Sequence, residues 1–584
     1  MNRILLRLII LIAGVAINAA ALAQDPSDST VVSFVDSAGQ PVENVRAYFY
    51  NGKLAKKLES KSGSATVEAS DGIVAAVADG FQYSGTILSN DPAQVVLMRD
   101  DEPYPPINNR PFPLTAELKK QFKEKLESKL WEELENNPNR SPVDIQQAMR
   151  ILGRWSPAKS LKFLNEQDLN SQMKTAAQQP IIAGFLESDV ESAMQLIDEI
   201  KNPMFRAMSL GAILKELPAK HSAMSVIEKQ MVDSLREVKQ PGLRLMGLSA
   251  LAQHYADTDR TELAQKIVDR HLEEAKKLPA DGLPGFARSL FAALVAEKNI
   301  PLALSLIEGG KDENEQPRAE ARVAFYACRT HPQQAIELLD RSSRNPNLIT
   351  YFDNHIKLSH RMAVEQTEAA IKLVELIDEP NQQAWGYGMM AMRLKASNPE
   401  LAKDLLNRAI VGLDQAKPPT TWSRNWHSPS MTLAGLLPVA QDVCPEQVRS
   451  MIWQSVFHGI PKSRWVDGLS NQMKLQIAAG GIARYDVALA KALMTEKKIK
   501  IDRSYGSFAA HQFLIDPNGI GALIERGLES NERHHVKKQL ASVLNCDEAT
   551  FWKMVSKPMM LEWPTERFEA VSYTHLTLPT IYSV

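Results

Sequence analysis

Two periodicities divide the chain. From Thr30 to about Arg99, apolar residues alternate with polar ones or gather in short runs. The runs are Val31 to Val35, Val45 to Tyr50, Ile73 to Ala78 and Val95 to Met98. Each reads as a β-strand. Turn signals separate them: Ser37-Ala38-Gly39, Asn51-Gly52, Ser62-Gly63, Asp71-Gly72 and Asp79-Gly80. Asn-Gly and Asp-Gly tolerate the positive φ that tight hairpins demand. Short strands at this spacing predict a small sandwich over residues 30–99. Residues 100–114 then carry Pro103, Pro105, Pro106, Pro111 and Pro113. Proline at that density bars a helix interior and predicts an extended linker.

After Thr115, a candidate N-cap, the period changes. Leu118, Phe122, Leu126, Leu130 and Leu134 recur every four residues among Lys and Glu, predicting an amphipathic helix over 115–140. From 141 to 570 a short pattern repeats: a small or apolar anchor, two residues, then an apolar pair. The anchors are Ser160, Ala193, Ala223, Ala264, Ala303, Ala335, Ala370, Ala402, Val448, Ala490 and Ile520. Their spacing runs from 30 to 46 residues around a period near 33. Such a period marks stacked helical hairpins, each unable to bury its apolar side alone. Ser156-Pro157, His331-Pro332, Asn398-Pro399 and Asp516-Pro517 place a capping residue before a proline suited to the first helical position. A second apolar helix closes each unit, as over Phe205–Leu217, Leu243–Ala256, Phe286–Ala296 and Gln472–Ala483. The predicted fold is mainly α: a superhelical solenoid of α-α repeats with a small N-terminal β-sandwich. Whether it stays an open spiral or closes into a toroid is not encoded in the periodicity.

Two resemblances follow from these residues. Phe34-Val35-Asp36-Ser37-Ala38-Gly39-Gln40-Pro41-Val42, with the later Val77-Ala78-Asp79-Gly80-Phe81, resembles a carboxypeptidase-regulatory-like domain. Glu43-Asn44 stands where that family usually has Gly-Ala. The resemblance implies an immunoglobulin-like or transthyretin-like sandwich acting as an accessory module without catalytic residues. The repeats resemble tetratricopeptide-like α-α superhelices without the regular Trp-Leu-Gly-Tyr signature; HEAT-like packing is the alternative.

The 584 residues carry 67 basic and 69 acidic side chains, a formal charge of -2, and 44% hydrophobic residues. This is globular composition, and it excludes a strongly basic nucleic-acid binder. Arg3 and Arg7 precede an uncharged stretch from Leu8 to Ala23 that ends in Ala21-Leu22-Ala23. The stretch is shorter than the roughly 20 apolar residues of a membrane span and has the form of a cleavable signal peptide over 1–23, with a retained anchor as the alternative. The expectation is export to a periplasmic or extracellular location, with no membrane span after cleavage. Residues 571–584, VSYTHLTLPTIYSV, resemble sequencing-adaptor read-through and are set apart. Cys328, Cys444 and Cys546 lack zinc-ligand spacing and are expected as separate buried thiols, a single pair being the alternative.

No metalloprotease helix, nucleophile elbow, phosphate loop or Cys-x-x-Cys occurs in the chain. Lys311 to Glu315 lacks the glycine and terminal Glu of a calcium loop. His355 and His360 lie five apart, a poor fit to one helix face, and are expected as polar surface. No cofactor or metal is expected. One irregular interval, 402 to 448, contains Trp422, Arg424, Trp426 and His427, with Trp385, Trp453 and Trp465 in nearby repeats. Trp422, Arg424, Trp426, His427, Trp453 and Trp465 form the candidate partner surface, which Arg464 and His458 would extend. Aromatics beside Arg and His suit a protein, peptide or glycan partner. The competing reading makes the tryptophans core fillers. The expected function is an exported, non-enzymatic interaction protein. The alternative is a toroidal or superhelical enzyme on polysaccharide or peptidoglycan, with Tyr485 and Glu446 as nearest candidates.

Overall fold

A computed structural model describes residues 29–556, except 53, 89–92, 108–110, 138–139, 217–220, 259, 311–314, 344–350, 417–427, 461–470, 495–509, 511–512, 515, 522–523 and 526–532. Seven strands come first: β1 (Thr30–Asp36), β2 (Arg46–Tyr50), β3 (Ala55–Glu59), β4 (Ser64–Val67), β5 (Ile73–Val77), β6 (Ser84–Ile87) and β7 (Ala93–Leu97). One sheet has the order β4-β1-β7, with β1 and β7 parallel; the other is the antiparallel β3-β2-β5-β6. Val32, Phe34, Phe49, Leu58, Val74 and Val95 fill the space between them. Gly39, Gly52, Gly63, Gly72 and Gly80 all take positive φ, as the turn signals require.

Mainly α structure follows, with 23 α-helices among the described residues. Thr115 caps the first helix, Ala116–Asn136, by accepting the Leu118 N–H at 3.2 Å. Asn398 accepts from Leu401 N–H at 3.2 Å and Asp516 from Gly519 N–H at 3.0 Å, as their place before proline predicts. Ser156 makes no capping bond; its hydroxyl donates backwards to the Leu152 carbonyl at 3.4 Å. All eleven anchors are buried, the most exposed being Ala264 at 8%. Each lets its helix approach the neighbouring one, as the repeat pattern implies.

Beyond the first helix, the hairpins place their helices in two layers. The helices starting at Pro142, Ser171, Pro203, Pro241, Gly282, Glu315, Tyr351, Pro380, Pro429 and Asn471 each touch the next of that set. The helices between them meet one another sparsely. The continuous layer is therefore the inner wall of a curved array. Close approach there depends on missing side chains. A Cβ on Gly184 would sit 2.4 Å from the Gly153 carbonyl oxygen on the adjacent inner helix. Pro438 lacks the N–H that would bond the Ala434 carbonyl, and that oxygen lies against Gly481 of the next inner helix.

The two ends of the array meet, so it closes into a ring. Phe122 and Phe513 are in edge contact at 5.8 Å, and Phe112 and Phe551 at 5.2 Å. Trp155 Nε1 donates to Asn545 Oδ1 at 2.9 Å, and Lys119 Nζ donates to the Cys546 carbonyl.

Arginines tie the hairpins internally. Arg140 donates to the Leu134 carbonyl at 2.9 Å, Arg244 to Val238 at 2.9 Å and Arg288 to Leu278 at 3.0 Å. Each satisfies a carbonyl at or beside the end of the preceding helix. His355 and His360 are 1% and 5% exposed, which overturns their reading as polar surface. They lie on helix Tyr351–Met362 of the inner layer, where Arg361 also stacks on Phe325 at 4.8 Å. All three cysteines are free and buried.

Candidate functional site

The outer face of one sheet of the β module joins the apolar core of the array, while the sandwich keeps a core of its own. Strand β5 reads Ile-Val-Ala-Ala-Val, and all five residues are buried. Strand geometry sends alternate side chains to opposite faces, so this strand is covered on both. Val74 and Ala76 join Ala47 and Phe49 inside the sandwich. Ile73, Ala75 and Val77 join Tyr50 and Tyr83 in the core of the helices.

Helix Val448–Gly459 covers that outer face. Phe457 meets Tyr48 edge-on at 4.8 Å and Tyr83 at 5.2 Å. Trp453 occupies the space over Gly85, where an added Cβ would lie 2.3 Å from the indole. Only glycine in β6 admits the ring at that depth. The linker is held in the same seam. Tyr104 is buried, donates to the Tyr83 carbonyl at 3.2 Å and lies beneath Arg449 at 5.8 Å. The proline-rich segment is thus pinned at Tyr104 and at buried Leu114.

One polar cluster borders the aromatics. The Tyr83 hydroxyl donates to Asp414 Oδ1, and His458 Nε2 lies 3.2 Å from the same oxygen. Burial, then the Asp414 carboxylate, pushes the Tyr83 phenol well above its ordinary value. The hydrogen bonds of His458 and Tyr83 outweigh desolvation and hold Asp414 below the usual carboxylate range. Tyr83 here acts as a fixed donor, not as an acid.

Of the six candidate surface residues, Trp453 alone lies among the described residues, half-buried in the seam. Trp422, Arg424, Trp426 and His427 fall in 417–427 and Trp465 in 461–470, with Arg464; both segments lie outside the described residues. The chain positions that bound them come together. Asp414 and His458 share their contact, and a Cβ on Gly459 would meet Ser430 Oγ at 2.9 Å and Leu475 at 2.4 Å. His458 joins this cluster through Asp414. Trp385, 1% exposed, fills the core.

Of the residues weighed for catalysis, one is buried and the other is paired. Tyr485 is buried, and desolvation pushes its phenol up. Glu446 accepts from Cys444 Sγ at 3.0 Å and pairs with Lys403 at 3.2 Å; the Cys444 contact keeps its carboxyl below the usual range. Among the described residues, no three His, Cys, Asp or Glu side chains converge as a metal site. Nor is any helix among them long and apolar enough to cross a membrane. Sequence reasoning missed the seam, although the unbroken apolar run in β5 was its signal. No family model, curated protein or solved structure matches the chain.

Proposed function

We propose that the protein is an exported, non-enzymatic scaffold that binds an envelope protein, a peptide or a wall polymer. The observation carrying this reading is the docked seam. Sheet β3-β2-β5-β6 is committed to helix Val448–Gly459, so the β module is held at a set angle to the ring. Two surfaces in fixed relation suit a scaffold better than two modules on a loose tether. The two-sheet sandwich fits a carboxypeptidase-regulatory-like accessory module, and the eleven buried anchors fit tetratricopeptide-like repeats. The leader-like residues 1–23 support export. The partner surface is assigned to Trp422, Arg424, Trp426, His427 and Trp465, whose flanking positions meet beside Asp414 and His458. Trp453 belongs to the seam.

The test is affinity capture from an envelope fraction with the purified chain lacking residues 1–23, alongside a Trp422→Ala/Trp426→Ala version. The reading expects named partners that the double variant fails to retain. Equal recovery by both versions removes the aromatic surface.

Closure of the array favours one alternative, a toroidal enzyme acting on polysaccharide or peptidoglycan. That reading requires convergent acids in the ring, and the engagement of Glu446 by Cys444 and Lys403 weighs against its use as one. Release of soluble fragments from purified cell wall by the intact chain would establish it over the scaffold.

A further inference from the structure

Two glycines and an aspartate gather oxygens around one point of the inner layer. Helix Gly282–Ala296 starts after Asp281, whose carboxylate makes no capping bond to it. Asp281 is exposed, and its Oδ1 lies 3.8 Å from where a Cβ on Gly310 would sit. The Ala280 carbonyl oxygen lies 3.4 Å from the same point, and Gln316 Oε1 3.1 Å. Gly285 makes room for that carbonyl, because a Cβ there would collide with it. Among the described residues, neither the Ala280 carbonyl nor Gln316 Oε1 accepts a hydrogen bond. The Gln316 amide nitrogen donates elsewhere, to Glu320 at 3.4 Å.

The three oxygens border a cavity of about 10 Å³, the room of one water or one small ion. Ser289 lines it too, but sends its proton to the Phe286 carbonyl at 2.8 Å and accepts from Arg322 at 2.6 Å. Arg322 in turn stacks on Phe286 at 4.6 Å. A water brings two protons to three acceptors, whereas a cation satisfies all three. A carboxylate, a carbonyl and a carboxamide are the hard donors that calcium takes at about 2.3–2.6 Å; magnesium gives up its own waters reluctantly.

We propose that Ala280, Asp281 and Gln316 bind one calcium ion, with waters completing its shell. The ion ties the start of helix Gly282–Ala296 to the start of the next inner helix, Glu315–Ala327. Three protein oxygens carrying one charge give weak affinity, with Kd of about 0.1–1 mM. The inference rests on these oxygens and is independent of which partner binds.

The test is calorimetric titration of the intact chain with calcium chloride at fixed ionic strength. It is expected to show one ion per chain in that range, little displaced by equal magnesium. Hydrogen exchange of the wild type with calcium is expected to gain protection over Asp281–Phe286 and Gln316–Ala319. Asp281→Asn removes the charge and Gly310→Ala fills the cavity. Each is expected to weaken calcium binding at least about ten-fold, with helical circular dichroism unchanged in calcium-free buffer. Three results overturn the proposal: no binding to the wild type up to about 10 mM calcium, unchanged binding in both variants, or protection gained only elsewhere, which reports an adventitious ion only.

Discussion

Phe457→Ala interrogates the seam most sharply. Phe457 is 6% exposed, and its ring lies between Tyr48 at 4.8 Å and Tyr83 at 5.2 Å. Truncating a buried aromatic costs about 3–5 kcal/mol, because transfer free energy is lost and a cavity remains. Each edge-on pair accounts for about 0.5–1.5 kcal/mol of coupling beyond burial. The expected loss is therefore about 3 kcal/mol or more, falling on the joint between modules and not on either core. Urea denaturation of the wild type, Phe457→Ala, Tyr48→Ala and the double variant gives the loss and the coupling. Hydrogen exchange localises it: amides of β5, β6 and helix Val448–Gly459 lose protection together, while β1 and β7 keep theirs. A loss below about 1 kcal/mol, with strict additivity between Phe457 and Tyr48, would refute the reasoning, since residues in contact couple.

Three further outcomes follow from the packing and charge of the array. Gly184→Leu drives a side chain into the Gly153 backbone, and urea denaturation is expected to show a loss of about 2–3 kcal/mol from overpacking, against little change for Gly412→Ala, where a Cβ meets open space. Arg260→Ala strips buried Glu228 of the guanidinium that donates to it at 2.9 and 2.5 Å, costing about 3 kcal/mol by the same assay; adding Glu228→Gln returns part of that loss by removing the buried charge. Burial raises the Glu379 carboxyl above the usual carboxylate range, outweighing the bonds it accepts from Asn381 and Gln382. Because the folded state holds that proton more tightly than the unfolded state, stability is greatest below the unfolded value. It falls as pH rises through the raised folded value. Denaturation midpoints across pH 4 to 8 are expected to show this decline in the wild type and a shallower one in Glu379→Gln, and parallel curves would contradict it.

Much of the architecture was legible because it rests on local rules. The anchor positions were readable since a small residue before an apolar pair is what a helix needs to meet its neighbour, and all eleven are buried. Turn glycines and the Asn398 and Asp516 caps followed from backbone geometry. Strands β3, β4 and β6, reading AKKLE, SATV and SGTI, escaped because they are short and polar or small. His355 and His360 misled because polar type was taken for exposure, whereas the inner layer encloses them. The seam and the closure were out of reach for another reason. Tyr83 meets Asp414 across 331 residues and Lys119 meets Cys546 across 427, and no periodicity reports pairings at such separation. The candidate surface was read from aromatic content, which did not separate Trp453, a seam residue, from Trp422, Trp426 and Trp465.

Ring closure underlies the account, and lysine cross-linking of the intact chain at low salt with peptide mapping tests it directly. Helix Ala116–Asn136 carries Lys119, Lys120, Lys123, Lys125 and Lys129, and helix Arg533–Asn545 carries Lys537 and Lys538. A closed ring yields cross-links between these two helices in the monomer, about 400 residues apart in sequence, since the helices touch. An open spiral yields links only between successive hairpins, and that result would contradict the closed architecture.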